Sequence, residues 1–126
     1  MSGKDVKVRT HKDLDVWKKA MSFVTELYKI TATFPKDERY GLTSQMRRAA
    51  VSIPSIISEG AARQSNKEFI QFLYIALGSN VEIETQLNIA RNLNFINDET
   101  FERMDEDQNE ISRMLMGLIK YRKSRN

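Results

Sequence analysis

The sequence of 126 residues contains no cysteine, only two prolines and a single histidine. Without cysteine the chain has no disulfide framework, no thiolate metal site and no thiol nucleophile. Long apolar runs are also missing, because the longest, residues 72–77, is far shorter than the roughly 20 residues that a membrane-spanning helix needs. The first 12 residues are polar and basic, unlike a signal peptide. We therefore expect one cytoplasmic domain that does not contact a membrane.

Catalytic and metal-binding patterns are equally scarce. A di-iron bundle needs Glu-x-x-His pairs on facing helices, whereas the only histidine, His11, precedes the first helix and is expected to be a solvated tail residue. Glu82 and Glu84 are two residues apart and point to different faces of a helix. The five glycines are scattered, and none of them opens a phosphate-binding loop. The sequence thus predicts a protein without enzymatic activity, metal, cofactor or small-molecule substrate.

Charge is unevenly distributed, although the net charge is only +3. Residues 1–12 carry four basic side chains and one acidic one, and residues 120–126 carry four basic and no acidic ones. The remainder holds 12 basic and 16 acidic residues. We predict a flexible basic tail over residues 1–12, a helical domain over residues 13–123 and a basic C-terminal end over residues 124–126. Such ends attract nucleic acid or anionic surfaces, or they are simply solvated termini.

Four segments with apolar residues at steps of three and four indicate α-helices. The first covers residues 14–34, with Asp13 as its N-cap and Pro35 as its stop signal. The second covers residues 42–63 and contains Pro54, which removes one backbone hydrogen bond and predicts a kink or a two-part helix. Serine hydroxyls around this proline are expected to bond to carbonyl groups nearby. These serines are Ser52, Ser55 and Ser58.

The third and fourth helices have clear start signals. Ser65 and Glu68 form a capping box that begins the third helix, in which Glu68 reaches back to the cap, and this helix extends to about Asn94. The fourth helix covers residues 98–123 with Asn97 as its N-cap, and its early acidic and late basic residues complement the helix dipole. Four long helices with short connections predict an all-α, antiparallel up-down-up-down four-helix bundle.

The beginning of the third helix is apolar over most of its circumference, since Gln71 is the only polar residue from position 69 to position 77. A helix in a monomeric bundle needs only one apolar stripe. The stretch therefore either lies unusually deep or has a second face that contacts another subunit. We favour the second explanation, with Ile70 and Tyr74 facing outward. The expected subunit-interface residues are Phe69, Ile70, Phe72 and Tyr74.

Basic side chains are the candidate contacts to phosphate groups, which lysine and arginine bind without reading sequence. The candidates belong to the first helix, to the beginning of the third and to the end of the fourth. They are Lys18, Lys19, Arg63, Lys67, Lys120, Arg122 and Lys123. No aromatic residues alternate with the basic ones to stack unpaired bases. Whichever of Arg47 and Arg48 faces inward is expected to form an ion pair with a carboxylate such as Glu59, Glu82 or Glu84.

Some residue types that often mark functional sites have a structural interpretation here. Gly60 and Gly78 lie within helices and predict places where two helices approach closely. Trp17 and the methionines are expected to belong to the core rather than to a ligand site.

Residues 39–87 carry a resemblance to a known family. The segments RYGLTSQMRRAAVSIPSIISEG (residues 39–60) and SNKEFIQFLYIALGS (residues 65–79) closely resemble the bacterial four helix bundle protein family. Its members were first noticed as open reading frames in intervening sequences of large-subunit ribosomal RNA genes. The resemblance covers nearly the whole chain from His11 onward.

This resemblance implies a four-helix bundle whose second helix continues through Pro54. The chain is also similar to accessory proteins of diversity-generating retroelements, which form ring-like pentamers with a positively charged surface and bind nucleic acid beside a reverse transcriptase. The similarity implies a homo-oligomeric ring of five copies, which would explain the apolar start of the third helix. At residues 56–58 the chain departs from relatives, having Ile-Ile-Ser where they often have Asn-Ile-Ala.

Two functions are compatible with these observations. The first is a non-enzymatic, homo-oligomeric protein that binds RNA or DNA through basic surface residues. The second is an oligomeric protein-binding scaffold with no nucleic-acid role, in which the basic residues serve solubility and internal pairing.

Overall fold

The computed structural model describes residues 10–125 as four α-helices, with no β-strand in that range. Helix α1 is Asp15–Thr31, α2 is Leu42–Ala61, α3 is Asn66–Asn92 and α4 is Asp98–Lys123. Each helix packs against its neighbours along the chain, and α1 also packs against α4, which closes the bundle. The predicted four-helix bundle is thus confirmed. None of the helices within residues 10–125 combines the length and the apolar character that crossing a membrane requires.

The two ends of α1 differ from the prediction. His11–Asp13 form a 3-10 helix, and Leu14 occupies the N-cap position with extended backbone angles, so the assignment of Asp13 as the cap is wrong. At the other end, α1 stops at Thr31 rather than at Phe34. The backbone N–H of Phe34 bonds to the carbonyl of Thr31 at 3.1 Å, a spacing of three residues that tightens the chain before the proline forces it to turn.

Helix α2 runs without interruption through Pro54, as the resemblance implied. The hydroxyls of Ser52, Ser55 and Ser58 each donate to a backbone carbonyl three or four residues earlier, at 2.7 to 2.8 Å. Their acceptors are the carbonyls of Ala49, Val51 and Pro54. The predicted serine bonds therefore exist, but they strengthen the turns on both sides of the proline and do not reach the carbonyl of Ala50, which is the one that the proline leaves unbonded.

The predicted N-caps of α3 and α4 are confirmed. Ser65 Oγ accepts from the backbone N–H of Glu68 at 3.1 Å, and Asn97 Oδ1 accepts from the backbone N–H of Thr100 at 2.8 Å. The carboxylate of Glu68 accepts from the Ser65 hydroxyl at 3.1 Å, instead of from the backbone as expected for a full capping box. Helix α4 then begins with acidic side chains and ends with basic ones, in the order that its dipole favours.

The core is built from apolar side chains of all four helices. Its largest fully buried members include Leu27, Met46, Leu73, Leu87 and Ile111. Trp17 is half-buried beside this core and donates from Nε1 to Ser58 Oγ at 3.0 Å. The prediction for the methionines holds for Met46 and Met104, which are fully buried, whereas Met21 and Met116 are exposed and outside the core.

The two helical glycines have different surroundings. A Cβ atom added to Gly60 would lie 2.5 Å from the Cβ of Phe72, so α2 and α3 approach closely there, as predicted. A Cβ atom added to Gly78 would meet nothing within 4 Å, and the prediction of a close approach at that position is wrong. Gly78 lies on the outer side of α3, where no other helix within residues 10–125 is packed.

The apolar beginning of α3 is largely covered within the chain itself. Phe69 and Ile70 are buried, and Ile70 is only 8% exposed, so the prediction that it faces outward is wrong. The reason is that α3 lies between α2 and α4, which together cover a wide arc of its surface. Of the four expected interface residues, Phe72 is half-buried beside Gly60 and Tyr74 is exposed.

Candidate nucleic-acid interface

Five of the seven predicted phosphate-binding residues are brought to one end of the bundle. The α2–α3 connection and the last turn of α4 meet there, because the side chain of Asn66 donates to the backbone carbonyl of Arg122 at 2.7 Å. We call this group of residues the basic pole. Its members are Arg63, Lys67, Lys120, Arg122 and Lys123.

The members of the basic pole differ in how far their charges are already engaged. The side chains of Lys67 and Lys120 are exposed and form no ion pair or hydrogen bond with any residue from 10 to 125. Lys123 donates to the hydroxyl of Tyr74 at 2.7 Å. Arg63 pairs with Glu59 at 3.2 Å and lies 4.8 Å from the centre of the Phe72 ring. The two free lysines are therefore the most available contacts for an external anion.

Arg122 is the most deeply placed member of the basic pole. Its guanidinium lies 4.7 Å from the centre of the Phe69 ring, so it joins α4 to α3. Its Nε atom is buried and has no hydrogen-bond partner among residues 10–125. Arg122 thus combines a structural contact with an unused donor.

A cavity of about 690 Å³ opens beside the basic pole. Arg63 and Arg122 line it together with His11, Tyr121 and the start of α3, and no carboxylate side chain lines it in the described part of the chain. His11 is half-buried, with its ring 5.2 Å from that of Trp17 in an edge-on arrangement, so the prediction of a solvated residue is wrong. The cavity offers cationic and neutral donors to an anionic group.

The two candidate lysines of α1 have different environments. Lys19 Nζ lies 3.0 Å from Asp107 Oδ1 and 3.4 Å from Glu110 Oε2 on α4. The hydrogen bond to Asp107 raises the pKa of Lys19 above the ordinary lysine value of 10.5. Lys18 is exposed and has no ion pair within residues 10–125. The charge of Lys19 therefore serves to join α1 to α4, whereas that of Lys18 is available.

A second cationic surface lies on the outer side of α2, near its beginning, and it includes Arg47 and Arg48, for one of which the sequence predicted an internal ion pair. We call it the arginine–tyrosine surface, and its residues are Tyr28, Arg39, Tyr40, Arg47 and Arg48. They surround a hollow of about 610 Å³ that no acidic side chain lines among the described residues. The expectation that no aromatic residues accompany the basic ones is wrong at this place. The adjacent pairs Arg39-Tyr40 and Arg47-Arg48, seven to nine residues apart, were the available signal.

Arg47 faces α1 rather than a carboxylate. Its Nε donates to Thr31 Oγ1 at 2.8 Å, its Nη2 donates to the Tyr28 carbonyl at 3.2 Å, and its guanidinium lies 4.4 Å from the centre of the Tyr28 ring. The expected ion pair with Glu59, Glu82 or Glu84 is therefore wrong for this arginine. The reason is that Arg47 lies on the side of α2 that contacts α1, whereas Glu82 and Glu84 belong to α3.

Exposed apolar side chains mark a third surface, on the outer side of α3 and α4. Tyr74 and Val81 are seven residues apart and share one face of α3, and Met116 and Lys123 share one face of α4 in the same way. Because Lys123 bonds to Tyr74 and the helices are antiparallel, Val81 and Met116 lie at the same level. We call Tyr74, Val81 and Met116 the outer apolar face, and each is about half exposed or more.

No group of three or more histidine, cysteine, aspartate or glutamate side chains in residues 10–125 is arranged to hold a metal ion. The acidic residues of α4 include Asp107 and Glu110, which contact Lys19, and Asp105, which accepts from the amide of Gln108 at 2.9 Å. These contacts give the acidic side chains a structural role.

Comparison with known proteins places the chain among described relatives. Residues 12–117 match a protein family described as 23S rRNA-intervening sequence protein. Among solved structures, the chain is similar to a protein of unknown function from the S23 ribosomal protein family of Bacteroides thetaiotaomicron, with 27% sequence identity and a TM-score of 0.78. The match covers 83% of this chain and 95% of that one. No match is found among curated proteins.

Proposed function

The chain belongs to the 23S rRNA-intervening sequence protein family, and on this basis we propose that it is a non-enzymatic, homo-oligomeric cytoplasmic protein that binds RNA or DNA. The basic pole is the proposed contact surface. Binding there is directed to phosphate groups, so it depends on charge and ionic strength more than on base sequence.

The observation that carries this proposal is the meeting of five cationic side chains from two separate parts of the sequence at one end of the bundle. Each lysine or arginine that contacts a phosphate releases a condensed counterion, which is the main source of affinity for nucleic acid. Lys67 and Lys120 are free for such contacts, and the neighbouring cavity adds Arg63 and Arg122 without any acidic side chain among the described residues.

The outer apolar face supports the homo-oligomeric part of the proposal. Tyr74, Val81 and Met116 are exposed side by side, and their contact with a second copy of the chain would remove apolar area from water. The similarity to the retroelement accessory proteins suggests a ring of five copies. In such an arrangement α3 would supply part of the interface from Tyr74 onward, while Phe69 and Ile70 would remain in the core of each copy.

A protein-binding scaffold is the second candidate function, and one observation favours it. Arg63, Arg122 and Lys123 already contact aromatic rings of α3, which is a purely structural use of their charges. On this interpretation the basic pole stabilises the junction of α3 and α4 and has no external ligand. The scaffold predicts a stable oligomer and no affinity for nucleic acid.

Fluorescence anisotropy with a structured RNA and a matched DNA duplex separates the two functions. We expect binding that weakens steeply between low and near-physiological salt. Replacing both free lysines, in the variant Lys67→Gln/Lys120→Gln, should lower the salt slope by about 2, since each phosphate contact contributes about 1. The control Lys29→Gln/Lys36→Gln removes the same charge at the opposite end of the bundle and should retain the slope of the original protein.

Two results would contradict the nucleic-acid function. No binding at either salt concentration would make the scaffold the leading interpretation. If the salt slope falls equally in the Lys67/Lys120 variant and in the control, only the net charge of the protein matters. The basic pole would then not be the contact surface.

A further inference from the structure

The arginine–tyrosine surface has three features that together fit a ligand with both a phosphate and a flat ring. It carries three arginines, two of its side chains are aromatic, and Thr43, Ser44 and Ser52 line the same hollow. No carboxylate among the described residues lines the hollow to neutralise the arginines. Its volume of about 610 Å³ lies within the range in which small-ligand sites are found, roughly 300–1,000 Å³.

Two of the three arginines are uncommitted. Arg47 is held by Thr31 and Tyr28, and it forms the fixed wall of the hollow on the side of α1. The guanidinium groups of Arg39 and Arg48 form no ion pair or hydrogen bond with any residue in the described range. Both are exposed, so their donors are open to a phosphate from solvent.

Tyr40 is 86% exposed, the highest value among the large hydrophobic side chains of the described residues. It precedes α2 in the connection that follows Lys36–Glu38, and Arg39 lies 5.4 Å from the centre of its ring. The Tyr40 ring is therefore not packed in the core, and it lies next to cationic side chains. Proteins that bind single-stranded nucleic acid use exposed aromatic rings of this kind to stack bases.

We propose that the arginine–tyrosine surface binds one unpaired nucleotide of an RNA, with the base stacked on Tyr40 and the adjoining phosphate bound by Arg39 and Arg48. The proposal rests on the proposed nucleic-acid function and adds a structural preference to it. A fully paired duplex keeps its bases stacked on one another, so it offers only phosphates to this surface. An RNA with an extruded base offers both groups at once.

The test compares two RNA hairpins whose strands are joined by a non-nucleotide linker, so that the first is fully paired and the second differs only in a single-nucleotide bulge. Binding is measured by fluorescence anisotropy at near-physiological salt. We expect the protein to bind the bulged hairpin about tenfold more tightly, because stacking of one base on an aromatic side chain contributes about 1–3 kcal/mol and a factor of ten corresponds to about 1.4 kcal/mol. Tyr40→Ala should abolish this preference and leave affinity for the paired hairpin unchanged, whereas Tyr40→Phe should retain it.

The charge contribution is tested by Arg39→Gln and Arg48→Gln, each of which should reduce binding of the bulged hairpin several-fold. Lys36→Gln is the matched control, since Lys36 lies in the same connection but does not line the hollow. All these side chains are exposed, so thermal unfolding of the variants should follow that of the original protein.

The possible results separate this proposal from the function on which it rests. Equal affinity for both hairpins would overturn the nucleotide site and leave phosphate-directed binding in place. The nucleotide site would also be overturned if Tyr40→Ala still prefers the bulged hairpin. The same holds if Tyr40→Ala loses affinity equally for both hairpins. If the original protein binds neither hairpin, the nucleic-acid function fails, and the nucleotide site fails with it.

Discussion

Asn80 on α3 donates from Nδ2 to the backbone carbonyl of Gln108 on α4 at 2.6 Å, in the middle of the core. The same amide lies 2.7 Å from Ser112 Oγ, and the side chain of Asn80 is 0% exposed. The contact with Gln108 requires a donor at this position, because a backbone carbonyl can only accept. The bundle is therefore sensitive to the chemistry of residue 80 and not only to its size.

Replacing the Asn80 amide by a carboxylate of the same shape should destabilise the protein strongly. Asn80→Asp places a buried charge against the Gln108 carbonyl, and a buried charge without a partner costs about 3–5 kcal/mol. Burial raises the pKa of such a carboxyl above its ordinary value of about 3.9. The loss of stability in Asn80→Asp is thus present at pH values above the raised pKa, and it disappears as the pH falls through that pKa. Urea unfolding at pH 7 and pH 5 measures both effects.

Asn80→Leu is the matched control for this variant. It removes the donor and also the Asn80 Oδ1 atom, which is buried without a partner among residues 10–125. It leaves the Gln108 carbonyl and the Ser112 hydroxyl without this donor, which should cost about 1–3 kcal/mol, less than the buried charge of the Asp variant. An Asn80→Leu protein as stable as the original would contradict the inferred role of the donor. Equal stability of the Asp and Leu variants at pH 7 would contradict the expected cost of the buried charge.

The contact between Gly60 and Phe72 predicts opposite effects of one substitution at two glycines. Gly60→Ala should lower the free energy of unfolding by about 1–2 kcal/mol, because the added Cβ forces α2 and α3 apart and overpacking costs about 1–3 kcal/mol. Gly117→Ala should raise it by up to about 1 kcal/mol, because alanine favours helix and the position has open space around it. Urea midpoints of the two variants compare them directly, and a Gly60→Ala protein as stable as Gly117→Ala would contradict the close approach.

Variants of the two adjacent lysines of α1 should distinguish a charge that is paired within the protein from one that is available to bind phosphate. Lys18 lies outside the basic pole but is a predicted phosphate contact with an available charge, so Lys18→Gln should reduce the salt slope of RNA binding by no more than about 1. Lys19→Gln should leave the slope unchanged, because Lys19 is already paired with Asp107. Anisotropy titrations at several salt concentrations give both slopes. A reduction for Lys19→Gln equal to that for Lys18→Gln would show that the pair opens for RNA.

The Lys19 pair should also influence stability in a pH-dependent manner. Since its pKa is raised, its contribution is present below the ordinary value of 10.5 and disappears as the pH rises through the higher folded-state value. The pair is partly exposed, so its contribution to the free energy of unfolding should be below about 1 kcal/mol. The difference in unfolding free energy between the original protein and Lys19→Gln should be constant from pH 7 to about 9.5 and should decrease as the pH rises above 10.5 through the folded-state pKa. A difference that survives at the higher pH would assign the effect to lost packing of the lysine chain.

The proposed oligomer can be tested at the outer apolar face. Val81→Glu should lower the native mass measured by light scattering while the helical content is retained, because a carboxylate buried at an interface without a partner costs several kcal/mol. Ser22→Glu on the exposed face of α1 is the control and should retain the original mass. Ile70→Glu should instead unfold the chain, since Ile70 belongs to the core. An unchanged mass for Val81→Glu would place any interface elsewhere.

Features of the fold that depend on residues close together in the sequence could be predicted from it. The caps at Ser65 and Asn97 are local patterns, and both are formed as predicted. The continuity of α2 through Pro54 was not decided by the local pattern, and only the family resemblance indicated it. Helix ends without a strong cap, such as Thr31, were placed less well because competing turn bonds decide them.

Features that depend on distant residues were not readable. Gly60 and Gly78 look alike in the sequence, and only the position of Phe72 distinguishes them. The partner of Arg47 could not be chosen because the side of α2 that faces α1 depends on the packing of the whole bundle. For the same reason Tyr40 was not recognised, since its exposure follows from the way the connection before α2 leaves the core.

The charge order of α4 has a kinetic consequence. Its first turn is acidic and its last turn, at the basic pole, is cationic, so the bundle carries an electric dipole along its long axis. The electric field of a polyanion rotates such a molecule so that the basic pole points toward the polyanion before the two make contact. A larger share of the collisions is then productive. The rate of capture, and its decline with ionic strength, would then depend partly on carboxylates at the far end of the molecule that never contact the ligand.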